Sequence, residues 1–270
     1  MLKYLAIIIK KYTPFLFYDN LRKIYRSLKE FNVYYNKNKD LHHNQKIFLE
    51  LGIDTKKIKS ELQKFKIDYL DSNVSWHYHL FLGIKLIFNK NNKKIKNILE
   101  IGTFLGQFTN FLSKVYPESI ITTIDLKQDD KQFIETYDRN NKKKLKKFLD
   151  IRDRNIKEKN INFLELNSNL ISERFKNIKF DLIWVDGDHL DPQASEDIKN
   201  SLNLINKGGV ICVDDIIKNK NFKNFKISDE TYKTLQILEK QKIIKNFYIV
   251  KRLTKNNLKL KKYISISIKN

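Results

Sequence analysis

One strand–turn–helix–strand unit in the middle of the chain constrains the fold more than any other feature of the sequence. An apolar strand that begins at Asn97 ends in the acid Glu100, the chain then turns through Gly102, and a helix with one apolar face begins after Gly106. A second strand, over residues 119–124, ends at Asp125. Units of this kind build parallel sheets that hold ligands at the carboxyl ends of their strands. We therefore predict an α/β fold with its binding site at that edge.

The spacing of glycines and acids in this unit indicates which ligand it binds. Gly102 lets the backbone turn tightly beside a ligand, and Gly106 lets the helix pack close to the strand. Asp125 lies 25 residues after Glu100, near the distance at which an acid accepts hydrogen bonds from ribose hydroxyls. Glu100 would repel a diphosphate and attract a cation, which favours S-adenosylmethionine over a nicotinamide cofactor. The alternative is an ordinary β-α turn that uses glycine only for packing.

The rest of the chain continues the alternation of strands and helices. Further strands are predicted over 161–166, 180–185, 210–213, 246–252 and 262–268, and helices over 75–88, 139–149, 192–205 and 229–241. The pattern predicts a Rossmann-like, doubly wound, mainly parallel seven-stranded sheet with a C-terminal antiparallel hairpin and a helical N-terminal extension. Residues 1–74 form the predicted extension and residues 75–270 the predicted α/β domain.

Acidic side chains follow two strands that are expected to be neighbours in the sheet. Asp186 ends one strand, and Asp214 and Asp215 end the next. The intervening helix is predicted to begin at Pro192 and to end at the segment 207–209, which contains two glycines. Three carboxylates at one point favour a hard divalent cation such as Mg²⁺, and capping of turns and helices is the alternative.

A histidine lies beside this predicted metal site. His189 comes three residues after Asp186, and its ordinary pKa suits proton abstraction near neutrality. A cation and a histidine together would activate an oxygen nucleophile. A histidine that only bonds a nearby loop is the alternative. His77 and His79 precede the first strand and rank below His189, because packing or surface roles are commoner for such residues.

Composition constrains partners and compartment less sharply. The net charge is +22, which suits a phosphorylated substrate, nucleic acid or an anionic membrane surface, although each basic run also fits a solvated face. The single cysteine, Cys212, lies in an apolar run and predicts a buried thiol in a reducing, cytoplasmic setting. No apolar stretch is long enough to span a membrane, and the segment 2–9 is too short and too interrupted for a signal peptide. A docking helix or a membrane-surface anchor remains open for that segment.

Three segments together resemble a known family. Residues 99–106, 186–189 and 208–215 are similar to motifs of class I S-adenosylmethionine-dependent methyltransferases. The similarity is greatest to the metal-dependent O-methyltransferase branch, which includes catechol, caffeoyl-CoA and macrocin types, and it covers about residues 75–268. His189 stands where a histidine is usual in the macrocin type and a lysine in the catechol type.

The resemblance implies roles for individual residues. The predicted cofactor-binding residues are Glu100, Gly102, Thr103, Gly106, Asp125, Asn167, Ser168 and Asp186. Among them, Glu100 and Gly102 would face the methionine part, Asp125 the ribose, and Asn167 with Ser168 the adenine. The implied metal ligands are Asp186, Asp214 and Asp215, and the implied base is His189. Asn167 and Ser168 stand where the family commonly has a glycine.

These observations predict methyl transfer from S-adenosylmethionine to a hydroxyl of a small molecule or a sugar, with help from a divalent metal, Mg²⁺. RNA methylation is an alternative that the positive charge favours, but no Asn-Pro-Pro-Tyr-like motif follows the fourth strand. A non-catalytic module at a membrane surface is a third reading. Residues 1–70 can supply an interface for a homo-oligomer.

Overall fold

The computed structural model describes residues 36–69, 74–218, 229–253 and 261–270. The predictions for the apolar segment 2–9, and for the basic stretches 219–226 and 254–260, lie outside these described residues. Among the residues that are described, no helix combines the length and the apolar character that a membrane span requires.

A seven-stranded sheet forms the centre of the molecule. Its strands are β1 (Asn97–Ile101), β2 (Ile120–Asp125), β3 (Ile161–Glu165), β4 (Phe180–Val185), β5 (Ile205–Ile217), β6 (Ile244–Val250) and β7 (Lys262–Lys269). The order across the sheet is β3-β2-β1-β4-β5-β7-β6, and β1 to β5 pair in parallel. Strand β7 runs antiparallel between β5 and β6. The predicted doubly wound sheet and its C-terminal hairpin are therefore confirmed.

Helices cover both faces of this sheet. In chain order they are α1 (Lys37–Glu50), α2 (Thr55–Lys64), α3 (His77–Lys90), α4 (Gln107–Val115), α5 (Lys131–Glu135), α6 (Lys142–Asn155), α7 (Ile171–Arg174), α8 (Gln193–Leu204) and α9 (Glu230–Lys240). The basic helix predicted over 139–149 thus begins later and runs longer, as α6. Its start is fixed by Asn141, whose side-chain oxygen accepts hydrogen bonds from the backbone N–H groups of Lys143 and Lys144.

Two apolar clusters hold the layers together because neighbouring residues of each strand point to opposite faces. On β4, Ile183 belongs to the cluster beneath α8 and α9, whereas Trp184 belongs to the cluster beneath α1, α2 and α3. Cys212 is buried in this second cluster and is not disulfide-bonded, as the sequence predicts.

Strand β5 differs from its prediction at both ends. Helix α8 ends at Leu204, and the segment 207–209, predicted to end that helix, lies within β5 instead. The register against β4 shifts there, and a Cβ on Gly209 would lie 2.8 Å from the Ile205 side chain. The glycine is thus needed where the strand folds close upon itself. At its other end β5 continues to Ile217 by pairing with β7, although its parallel pairing with β4 stops at Val213.

The described part of the N-terminal extension joins the same core as the sheet. Helix α1 covers the edge strand β6 through Asn44, whose side chain donates to the Val250 carbonyl and accepts from the Val250 N–H, at 2.9 and 2.7 Å. These bonds satisfy backbone groups that an edge strand would otherwise expose. Phe48 of α1 and Leu62 of α2 are fully buried against the sheet cluster. The boundary at residue 74 stays a prediction.

Candidate active site

A cavity of about 630 Å³ opens at the carboxyl ends of the parallel strands, a volume typical of sites for small molecules. Its wall includes eight of the residues that the sequence analysis selected: Gly102, Asp125, Asn167, Ser168, Asp186, His189, Asp214 and Asp215. Glu100, Thr103 and Gly106 do not line it. The structure thus gathers most of the predicted residues around one space, with three of them in the layer behind its wall.

The turn after β1 explains two glycines. Gly102 has a φ of 103°, and a Cβ at that position would lie 2.4 Å from the Asp186 carbonyl oxygen. Any larger residue would push β1 away from the end of β4 and open the cavity floor. Gly106 has a φ of 68° and packs against α6, where a Cβ would lie 2.7 Å from Ile156. The close neighbours of Gly106 thus lie at the end of α6 rather than on the strand, where its spacing predicts them, and its contact with a cofactor stays a prediction.

Glu100 lies beneath this turn. Its Oε2 accepts hydrogen bonds from the hydroxyls of Thr109 and Thr123, at 2.5 and 2.6 Å, and the Thr123 hydroxyl also bonds that of Thr103 at 2.7 Å. Burial raises the pKa of Glu100 to about 7, against the effect of the two hydroxyl donors. Glu100 and Thr103 are thus linked through the Thr123 hydroxyl. Contact of either residue with a cofactor stays a prediction.

Asp125 is held in place at the end of β2. Its Oδ2 accepts from the backbone N–H of Phe104 and its Oδ1 from that of Leu126, both at 2.9 Å. Burial raises its pKa, and the two backbone donors oppose this shift. Each carboxylate oxygen keeps a further lone pair. Because the side chain forms part of the cavity wall, it can accept hydrogen bonds from a diol there.

The wall beyond β3 contains an acid that the sequence analysis missed. Asp197 of α8 lines the cavity and is 1% exposed, yet its Oδ2 has no hydrogen-bond partner among the described residues. Its Oδ1 accepts from Gln193, which also donates to the Ser168 hydroxyl at 3.0 Å. Asn167 starts the adjacent turn by accepting from the N–H of Asn169. An unpartnered buried acceptor beside Ser168 is suited to a ligand N–H group.

The acids after β4 and β5 converge, as the sequence predicts. Asp186, His189 and Asp214 each present one potential ligand atom, and these atoms lie within 4.8 Å of one another. The His189 Nε2 lies 3.6 Å from Asp186 Oδ1 and 3.9 Å from Asp215 Oδ2. His189 is about one third exposed, so its ring is available to a molecule in the cavity.

Three basic side chains that the sequence analysis ranked low or missed surround these acids. The Nε2 of His77 lies 2.9 Å from Asp214 Oδ1, and its ring packs edge-on against Trp184. Lys251 Nζ donates to Asp214 and, at 2.7 Å, to Asp215. Lys262 pairs with the other oxygen of Asp215 and lines the cavity. His79 lies elsewhere: it is buried, stacks on Trp76 and bonds the carbonyl of Tyr69.

These contacts separate the protonation states of the three acids. Burial, and then the charge of Asp214, raise the pKa of Asp186 well above its usual range. Burial also opposes ionisation of Asp214, but His77 and Lys251 outweigh it and hold that pKa well below its usual value. For Asp215, burial and Asp214 act upward, and the pKa is nonetheless lowered by Lys251, His189 and Lys262.

The same balance tests the predicted divalent ion. Spacing permits an ion at Asp186, His189 and Asp214, because one small cation can draw ligand atoms 4.8 Å apart together. Charge does not require it, because the carboxylates of Asp214 and Asp215 are already paired with Lys251 and Lys262. An ion on Asp214 would also lie beside the ammonium group of Lys251 and repel it. The spacing thus permits an ion, whereas the lysine pairs oppose one.

Comparisons with known proteins found one family model and several solved structures that are similar to this chain. Residues 99–216 match a family model described as a methyltransferase domain. An O-methyltransferase from Bacillus cereus in complex with SAH is 16% identical, with 87% of this chain and 100% of that chain covered at a TM-score of 0.48. The O-methyltransferase TomG from Streptomyces achromogenes, in complex with SAM, is 15% identical, with 86% and 98% covered at 0.48. A search of curated proteins found no match.

A third similar structure comes from a protein that processes RNA. The fibrillarin pre-rRNA processing protein of Methanococcus jannaschii is 18% identical, with 66% of this chain and 67% of that chain covered at a TM-score of 0.45. At such identities and scores these structures indicate no particular substrate. The family match covers β1 to β5, the two glycine positions of the first turn and the acids of the cavity. The part of the chain that builds the cavity, residues 99–216, is thus similar to a methyltransferase domain.

Proposed function

We propose that this chain transfers a methyl group from S-adenosylmethionine to a hydroxyl oxygen of a small molecule or sugar. The observation that carries the proposal is the division of one cavity into two parts. One part, around Asp125 and Asp197, offers acceptors for a nucleoside, and the other places His189 beside two carboxylates. A methyl donor and an acceptor hydroxyl can therefore lie in the same space, which is the alignment that methyl transfer needs.

The nucleoside part suits adenosine in its chemistry. Asp125 offers carboxylate oxygens for the ribose hydroxyls. The free Oδ2 of Asp197, next to Asn167 and Ser168, offers an acceptor for the adenine amino group. Gly102 leaves the backbone bare where the methionine part would pass between β1 and β4. When bound, S-adenosylmethionine supplies an electrophilic methyl group on a sulfonium.

His189 is the group that can take the proton from the acceptor hydroxyl. Its Nε2 faces Asp186 and Asp215 and is exposed to the cavity. The anionic Asp215 stabilises the imidazolium that forms when His189 accepts the proton. The proton thus moves from the acceptor oxygen to Nε2 as the methyl group is transferred. A divalent ion on Asp186, His189 and Asp214 is the alternative means of activating the hydroxyl, and it is supported by the spacing of those ligand atoms.

Cofactor binding is tested by calorimetry with S-adenosylmethionine and its demethylated product. The Asp125→Ala variant should bind the product about tenfold to a hundredfold more weakly, since two hydrogen bonds to a charged group are lost. Asp129→Ala, an exposed acid in the same loop, is the matched control and should bind like the unchanged protein. Equal affinity of the two variants, or no binding by the unchanged protein, would contradict the proposal.

Proton transfer is tested by release of the demethylated product in the presence of a panel of sugar and phenol hydroxyls. The His189→Gln variant should turn over about 10²- to 10⁴-fold more slowly while it keeps its affinity for the cofactor. His42→Gln, at an exposed position of α1, is the control. Undiminished turnover in His189→Gln would remove this residue from the mechanism.

A further inference from the structure

We propose that Lys251 is a positioning residue that takes the place of a divalent ion in this site, so that methyl transfer proceeds without a metal. The inference rests on the proposed function of the same cavity. It concerns how the acids of β5 are kept charged and in position, a task that an ion would otherwise perform.

The ammonium group of Lys251 contacts the acids as a bound cation would. Its Nζ donates to both Asp214 and Asp215, and its side chain is 12% exposed. Asp214 in turn is 2% exposed on its side chain and contacts His77 on its other oxygen. One ammonium group therefore joins the two acids that the sequence assigns to a metal. An ammonium at this place satisfies their charge and two of their lone pairs.

The backbone of Lys251 is fixed, so the ammonium group is held at a defined place. Its carbonyl accepts a hydrogen bond from the N–H of Trp76 at 2.8 Å, and its N–H donates to the carbonyl of Lys262 at 3.0 Å. Trp76 directly precedes His77, the second partner of Asp214. The beginning of α3 thus places two partners of the same carboxylate, and the β6–β7 hairpin places the two lysines side by side.

Charge balance makes Lys251 and a divalent ion alternatives. Two anionic acids face two lysines in the present arrangement. A divalent ion added to this set would have no matching charge and would lie beside the ammonium group of Lys251, which repels it. Removing Lys251 instead leaves an anionic pair with one lysine, next to Asp186 and His189. That remaining set has the oxygen and imidazole ligands that Mg²⁺ or Mn²⁺ takes.

The experiment measures metal binding directly, by titration of Mn²⁺ followed by electron paramagnetic resonance, on the full chain. The unchanged protein should bind no Mn²⁺ at this site at millimolar concentration, and Lys251→Ala should acquire one bound ion. Lys251→Arg, which keeps the charge, should remain unable to bind it. Lys245→Ala removes an exposed lysine of β6, the strand that directly precedes Lys251, and is the matched control.

Activity gives the second readout. Turnover of the unchanged protein should be the same in excess chelator and in Mg²⁺. Turnover of Lys251→Ala should fall at least tenfold in chelator and recover in part with Mg²⁺. Mn²⁺ bound by the unchanged protein, or loss of its turnover in chelator, would overturn the inference even if Lys251→Ala does not fold. Binding of the demethylated cofactor product, measured on the same samples, separates this failure from failure of the proposed function.

Discussion

The two halves of the site, the layer around β1 and β2 and the region around the end of β5, treat a buried carboxyl group in opposite ways. On β1, behind the cavity wall, the carboxyl of Glu100 has two threonine hydroxyls as partners, and burial raises its pKa to about 7. On β5, the similarly buried Asp214 has a histidine and a lysine as partners, and its pKa lies well below its usual value. Burial alone therefore does not decide the charge of an acid in this protein, because the partner does.

The difference follows from how strongly each partner stabilises the charged carboxylate. Burial disfavours a carboxylate at both places because it removes the water that solvates the charge. A hydroxyl offsets part of the lost solvation through one hydrogen bond, whereas an ammonium group adds a full opposite charge at low dielectric. Glu100, in the half with neutral partners, can change its protonation near neutral pH, whereas Asp214 and Asp215, in the ionised half, stay charged.

The largest effect should come from removing the charge in the ionised half. Asp214→Asn leaves Lys251 and His77 without their common anion, and the free energy of unfolding should fall by about 4 kcal/mol. Urea denaturation at pH 7 measures it, with the exposed Asp129→Asn as the control. If the free energy of unfolding fell by less than about 1 kcal/mol, these ion pairs would contribute no more than surface pairs do. The two halves would then not differ in the way described above.

A second test uses pH on the other half. The pKa of Glu100 is raised from 4.5 to about 7, so the folded state binds this proton more tightly than the unfolded state does. The resulting stabilisation, about 3 kcal/mol, is complete below pH 4.5 and is lost as the pH rises through 7. Glu100→Gln should remove this part of the pH dependence. Denaturant unfolding at several pH values between 4.5 and 8 gives the free energy of unfolding of both proteins. If these free energies changed with pH in parallel, the interpretation would be wrong.

The smallest effect should come from one neutral donor. Thr109→Val keeps the shape of the side chain, deletes one hydrogen bond to Glu100 and should cost about 1 kcal/mol in the free energy of unfolding at pH 8. Because that bond favours the ionised form, its loss should also shift the titration of Glu100 to higher pH. Thr122→Val is the control, since Thr122 is also buried, whereas the hydroxyls that donate to Glu100 are those of Thr109 and Thr123. Equal losses in the two variants would show that the hydroxyl bond contributes nothing specific.

Local patterns were sufficient for most of the fold. The apolar run before Gly102 predicts β1 to within one residue of its end, and α9 begins one residue after its predicted start at Asp229. Strand β5 was harder, because Gly208 and Gly209 are equally typical of a helix end and of a strand irregularity. Only the pairing of β5 with both β4 and β7 decides between these readings.

For the candidate site, too, local sequence patterns predicted some residues, and contacts between distant elements decided the others. The sequence by itself determined that acids lie at or near the carboxyl ends of β1, β2, β4 and β5. Because these strands are parallel, their carboxyl ends meet at one edge of the sheet. His77, Lys251, Lys262 and Asp197 carry no local pattern that distinguishes them from other residues of a basic, lysine-rich chain. Their positions depend on contacts between elements distant in sequence, such as the 137 residues between His77 and Asp214. Tertiary structure alone decided which acids are charged, because that depends on which cation lies within hydrogen-bond distance.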